Sequence, residues 1–122
     1  MMSKESKEFY NKVILDAINP DDYGVHPKGN KEKLEFLMKT FKSEYGHEIP
    51  RMGMVNAFRE WTQGLPTAFG IPFENYEILK MAKKGGSLPA NATDKQEDKI
   101  LANYWNFMAV KTFQLFRKYK VN

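Results

Sequence analysis

Residues 93–119, TDKQEDKILANYWNFMAVKTFQLFRKY, contain the pattern from which the expected fold class follows. Thr93 and Gln96 have the spacing of a capping box, in which each side chain accepts a hydrogen bond from the other residue's backbone amide. Asp94 adds a negative charge at the positive end of the helix dipole. The pattern predicts one helix from Asp94 to about Tyr119, which at about 1.5 Å per residue is about 39 Å long.

One side of this predicted helix is apolar over a wide arc. At about 100° per residue, one broad sector contains Leu101, Tyr104, Trp105, Met108, Thr112, Leu115, Phe116 and Tyr119. Ile100 and Phe107 widen the arc on one side. An arc this wide indicates that the helix packs against two or more neighbours and lies at the centre of the fold.

Upstream of this helix, apolar residues recur at helical spacing in four segments separated by proline and glycine. The predicted helices cover residues 4–18, 31–45, 52–63 and 74–84. In the first of them, Phe9 is expected on the apolar side that faces the core. Residues 47–50 are expected to form a connector between the second and third helices. The loop at residues 64–72 is too apolar for a solvated loop, so we expect it to be tucked against the body. The expected fold class is all-α: a single domain, residues 1–122, with four to five helices around the long C-terminal one.

The composition is that of a folded domain. With 122 residues, 42% of them apolar, the chain is long enough to bury a core of its own. The absence of cysteine excludes disulfides, thiol nucleophiles and cysteine-ligated metals. No apolar run is long enough to span a membrane, and no signal-peptide pattern opens the sequence. We therefore expect a cytoplasmic protein with no membrane contact.

The sequence contains no recognisable catalytic or metal-binding motif. His26 and His47 are 21 residues apart and have no further ligand at metal-site spacing. Acidic residues such as Glu77 and Glu97 lie in the first turns of predicted helices, where the helix dipole stabilises them. We expect no catalytic residue, no metal and no cofactor, and a binding protein in preference to an enzyme.

The positive charge is concentrated in the second half of the chain. Residues 1–60 contain ten basic and ten acidic residues, whereas residues 61–122 contain nine basic and five acidic ones, which gives the net charge of +4. No acidic side chain follows Asp98. A positive end of this kind attracts anions, although cations near a helix C-terminus also interact favourably with the helix dipole.

One side of the C-terminal helix is the first candidate binding surface. Its predicted members are Lys99, Asn103, Asn106, Val110, Phe113, Arg117 and Lys120. Phe113 is either covered by another helix or exposed beside cations, where it could serve as a contact residue or stack on a base. We expect a protein partner in preference to nucleic acid, because 19 basic against 15 acidic residues is a mild excess for a nucleic-acid binder. Nucleic-acid binding by the same basic end, a virion component and a homo-oligomer remain open alternatives.

A second candidate site is a pocket around residues 61–66. Trp61, two prolines and a phenylalanine nearby could form a small pocket, lined by Arg59, Glu60 and Gln63, for a ligand or a substrate. The competing interpretation is that this loop packs against the core.

Several segments between residues 56 and 116 resemble small uncharacterised proteins encoded by tailed bacteriophages. They are WTQGLP (61–66), IPFENYEIL (71–79), GSLPANAT (86–93) and QED (96–98), the last leading into the helix of Trp105. The resemblance implies a phage or prophage origin and work in the cytoplasm of a bacterial host. It implies no activity and no functional residue.

Overall fold

The computed structural model describes residues 4–64, 66–69 and 75–122. Within these residues the chain is all-α, as predicted. The helices are α1 (Lys4–Ala17), α2 (Asn30–Tyr45), α3 (Ile49–Met52), α4 (Met54–Gln63), α5 (Asn75–Lys84) and α6 (Asp94–Lys118), with 3₁₀ turns at Pro20–Tyr23 and Gly46–Glu48.

The long C-terminal helix is continuous, and its predicted cap is present. The Thr93 hydroxyl accepts a hydrogen bond from the Gln96 amide at 3.2 Å, and the Gln96 side chain accepts one from the Thr93 amide at 2.9 Å. α6 packs against α4, α1 and α5. The prediction that its wide apolar arc meets two or more neighbours is therefore confirmed.

The prediction of a connector at residues 47–50 is wrong. A 3₁₀ turn covers Gly46–Glu48 and leads directly into the single turn of α3, which contains Pro50. Proline is tolerated in the first turn of a helix because its missing N–H has no partner there in any case. The break comes instead at Gly53, whose φ of 86° lies in the region that favours glycine, and α4 starts after it.

The core is one cluster of buried side chains from α1, α2, α4 and α6. Phe58 of α4 lies at its centre, only 1% exposed. Its ring meets the rings of five other residues, with centroids 5.2 to 6.2 Å apart: Phe41, Trp61, Phe69, Phe113 and Phe116. Aromatic pairs in such geometries stabilise a core beyond the area that they bury.

Phe9 lies outside this core, contrary to the expectation. Ile14 and Leu15 are the buried residues of α1, Ile18 is buried just beyond its end, and Phe9 is 59% exposed. At about 100° per residue, Phe9 lies about 140° around the helix from Ile14 and about 120° from Leu15, so it is on a different side of α1. Its ring has an edge contact with Tyr10, at 5.5 Å between ring centroids.

The part of the apolar loop that is described is tucked against the body, as expected. Ala68 and Phe69 are almost fully buried, and the Ala68 carbonyl accepts a hydrogen bond from the Asn19 amide at 3.1 Å. Residues 65 and 70–72 of this predicted loop, and the predicted helix start at residue 74, lie outside the described residues.

α5 is attached to the first half of α6. The Trp105 indole donates a hydrogen bond to the Asn75 side chain at 3.2 Å, and Lys83 forms an ion pair with Glu97 at 3.2 Å. Leu88, in the connection between the two helices, is buried. α5 therefore covers one side of α6, while α1 and α4 cover the second half of the helix.

The C-terminal end of α6 has the hydrogen bonds of a Schellman motif. The Lys120 amide donates to the Arg117 carbonyl at 3.1 Å, and the Val121 amide donates to the Phe116 carbonyl at 2.8 Å. Lys120 occupies the left-handed position of the motif, with φ 57°, where glycine is the usual residue. Among the described residues it is the one non-glycine residue with a positive φ.

Candidate functional site

One strip of α6 is exposed along most of the helix. We call it the outer face, and it consists of Lys99, Asn103, Asn106, Val110 and Arg117, which recur at intervals of three, four and seven residues and are all exposed. This spacing places them in one row, because residues three, four and seven apart lie on the same side of a helix. Five of the seven residues predicted for this surface are thus together and accessible.

Phe113 is at the edge of the outer face and is half-buried. Its ring packs edge to face against Phe58, at 5.3 Å between centroids, and against Phe116, at 5.1 Å. It is thus neither covered completely by α4 nor free beside the cations. It joins the outer face to the core.

Lys120 does not belong to the outer face. α6 ends at Lys118, and the left-handed conformation of Lys120 turns the chain away from the helix axis. Its side chain instead lines a depression together with Lys39 and Lys42 of α2. The helical spacing that placed it with Arg117 does not continue beyond the end of the helix.

The cations of the outer face are not neutralised by described carboxylates. Lys99 and Arg117 take part in no ion pair with the residues that the structure describes. Lys111, beside the face, lies over the Phe107 ring at 5.5 Å and donates a hydrogen bond to the Gln114 side chain at 3.3 Å. The outer face is therefore a row of cations and amides around the single apolar side chain of Val110, which is 39% exposed.

The second candidate site is an open cleft at the ends of α2 and α4. We call it the acidic cleft. It has a volume of about 400 Å³ and is lined by Glu44, Tyr45, Glu60, Trp61, Gly64 and Pro66. Two of the four residues predicted for this pocket, Glu60 and Trp61, line it.

Hydrogen bonds from aromatic residues orient both carboxylates of the acidic cleft. Glu44 accepts from the Trp61 indole at 3.1 Å and from the Tyr23 hydroxyl at 3.0 Å, and Glu60 accepts from the Tyr45 hydroxyl at 2.6 Å. The hydrogen bond to Glu60 raises the pKa of Tyr45, because losing the Tyr45 proton would break the bond and place two negative charges side by side. Neither carboxylate forms an ion pair with a described basic residue.

Arg59 and Gln63 do not line the acidic cleft. Arg59 is half-buried, and its Nε atom is buried without a hydrogen-bond partner among the described residues. Gln63 is exposed. The two residues that sequence reasoning missed, Glu44 and Tyr45, belong to α2, and no local pattern indicates that the end of α2 lies beside α4.

The described residues contain no cluster of three or more histidine and acidic side chains that could hold a metal ion. None of the helices in that part of the chain combines the length and the apolar character needed to cross a bilayer. Comparison with protein-family models, with curated proteins and with solved structures found no match. Support for the two candidate sites therefore comes from the geometry of this chain alone.

Proposed function

We propose that this protein is a non-enzymatic binding module that contacts a protein partner through the outer face of α6. The observation that supports the proposal most is the row of exposed cations and amides around Val110, which no described carboxylate neutralises. The resemblance to phage proteins suggests a partner that belongs to a bacterium or to a phage.

The chemistry of the outer face indicates the kind of partner surface that fits it. Lys99 and Arg117 lie 18 positions apart, about 27 Å along the helix at about 1.5 Å per residue, which is the scale of a protein–protein contact. Acidic side chains of the partner would pair with these two cations. An apolar side chain would cover Val110 and the exposed edge of Phe113, and the two asparagines offer hydrogen bonds that fix the register.

Nucleic acid is the alternative partner for this basic surface. It fits less well, because two cations at the ends of a row with two amides between them give few phosphate contacts. Binding to nucleic acid would weaken steeply as the salt concentration rises, with a slope set by the number of phosphates contacted. Binding to a protein through the same face would show a milder dependence, because part of it comes from apolar contact.

The test is co-purification from bacterial lysate with tagged wild-type protein and with the double variant Lys99→Glu, Arg117→Glu. The proposal predicts a protein that co-purifies after nuclease treatment and that the charge-reversed variant does not retain. Lys80→Glu, Lys84→Glu is the matched control, because both lysines are exposed and belong to α5, a different helix from that of the outer face. Recovery of nucleic acid alone, or equal recovery with both double variants, would contradict the proposal.

The acidic cleft supports a second candidate function, the binding of a small cationic ligand. Glu44 and Glu60 offer two oriented carboxylates, and the Tyr45 ring is half-buried beside them. An organic ammonium or guanidinium group would pair with the carboxylates and lie against the aromatic ring.

Calorimetric titration with arginine methyl ester tests this function. The wild-type protein is expected to bind the ester, and the double variant Glu44→Gln, Glu60→Gln is expected to bind it about tenfold more weakly. Absence of binding to the wild-type protein would remove it.

A further inference from the structure

A basic depression lies where the chain beyond α6 meets the side of α2. It has a volume of about 430 Å³, and three lysines line it, Lys39 and Lys42 from α2 and Lys120 from the residues that follow α6. Among the described residues in its lining, Glu35 is the one acidic side chain. Asn122 lies at the rim, and even a free main-chain carboxylate on it leaves the depression with net positive charge.

The floor of the basic depression is apolar. Met38 and Val121 line it and are 4% and 7% exposed. The lysine side chains add apolar stems to the walls and place their charged ends at the rim. The depression therefore combines an apolar base with a cationic edge.

The three lysines are available for a ligand. None of their ammonium groups forms an ion pair or a hydrogen bond with a described residue. Charged groups left unpaired around a concave surface focus the electrostatic field there and attract a ligand of opposite sign.

The backbone at Lys120 gives a second, independent indication. A residue other than glycine whose backbone is left-handed destabilises the folded state relative to glycine. The Schellman motif would form equally well with glycine at this position. Non-glycine residues in this conformation cluster at functional sites, including those that hold ligands. Here the side chain supplies the third ammonium group of the basic depression.

We propose that the basic depression binds an acidic peptide segment of a partner protein, with an apolar side chain of the peptide on the floor and its carboxylates on the three lysines. The site is separate from the outer face of α6, so this proposal stands or falls independently of the function proposed above. The depression is short and has an apolar floor, so it offers a nucleic-acid backbone neither a continuous track of cations nor an exposed ring for base stacking.

The test is fluorescence anisotropy with a labelled peptide of sequence Glu-Glu-Leu-Phe-Glu-Glu and, in parallel, a labelled oligothymidine that carries the same number of charges. The wild-type protein is expected to bind the peptide saturably and at least about tenfold more tightly than the oligothymidine. Replacing Leu-Phe of the peptide by Ser-Ser is expected to weaken binding about tenfold or more, because the apolar floor then loses its contact.

Two variants connect the binding to the depression. Lys39→Ala, Lys42→Ala is expected to weaken peptide binding about tenfold, and Lys120→Gly is expected to weaken it about threefold while the fold remains intact. Lys80→Ala, Lys84→Ala is the matched control and is expected to bind as the wild type does. The proposal is overturned if the peptide does not bind, if the oligothymidine binds equally well, or if Lys39→Ala, Lys42→Ala binds the peptide as the wild type does.

Discussion

The ring of Phe58 on α4 meets the ring of Phe113 on α6 edge to face, with centroids 5.3 Å apart and planes at 87°. Phe58 is at the centre of the core, whereas Phe113 is half-buried at the edge of the outer face. Together with the contact between Phe58 and Phe116, this contact helps to fix the rotation of α6 about its own axis relative to α4. These contacts therefore help to determine which residues of α6 are exposed.

Replacing Phe58 by alanine is expected to destabilise the fold by about 3–5 kcal/mol, since a fully buried aromatic side chain leaves a cavity. Phe113→Ala is expected to cost about half as much, because its ring is only half-buried and stabilises through fewer contacts. Urea unfolding followed by tryptophan fluorescence measures both. Equal losses for the two variants would contradict the assignment of Phe113 to the edge of the core.

Removing the cap of α6 is expected to destabilise the protein by about 1 kcal/mol in Thr93→Ala, because the Gln96 amide loses its hydrogen-bond acceptor. Thr93→Asn is the control and is expected to retain most of the stability, since asparagine also caps helices well. The measurement is the midpoint of urea unfolding at constant slope. An alanine variant as stable as the asparagine variant would show that the capping box contributes little.

Glycine in place of Lys120 is expected to stabilise the fold by up to about 1 kcal/mol, because glycine adopts a positive φ without a steric penalty. Lys120→Ala keeps the penalty and serves as the control, with little change expected. The measurement is thermal and urea unfolding of the wild type, Lys120→Gly and Lys120→Ala. A glycine variant less stable than the alanine variant would contradict the left-handed conformation of this residue.

Tyr104 is expected to make the protein sensitive to alkaline pH. Burial, with a smaller contribution from Tyr10, raises its pKa from 10.0 to about 12, so the folded state favours the neutral phenol. The corresponding stabilisation is present below pH 10 and is lost as the pH rises from 10 towards 12. Tyr104→Phe is expected to lose less stability than the wild type over this interval, as measured by urea unfolding at each pH. Identical losses in the two proteins would refute the raised pKa.

The sequence predicted the fold well where local signals agree. The capping-box spacing of Thr93 and Gln96 predicts the start of α6, and apolar residues at helical spacing predict its buried side. The end of α2 at Tyr45 is also confirmed, whereas the prediction of a connector at residues 47–50 is wrong, because proline at position 50 is typical of helix ends in general. Here Pro50 lies in the single turn of α3, and the next break comes at Gly53.

The candidate sites were predictable only where one helix supplies the residues. The outer face follows from the periodicity of α6 alone, so five of its seven predicted members are together. The acidic cleft forms because the end of α2 lies beside α4. No pattern in the sequence around Glu44 therefore predicts that this residue belongs to the cleft. The prediction that Lys120 belongs to the outer face is wrong, because one left-handed residue beyond the end of a helix changes the direction of the chain.

Photo-crosslinking from a single position on the outer face shows directly whether α6 contacts a protein partner. A photoreactive residue at Val110, 39% exposed, is compared with one at Met81 of α5, 45% exposed, in living bacteria. We expect a defined protein adduct from position 110 that disappears when Lys99→Glu and Arg117→Glu are added. No more adduct from position 110 than from position 81, or an adduct that survives the charge reversal, would contradict it.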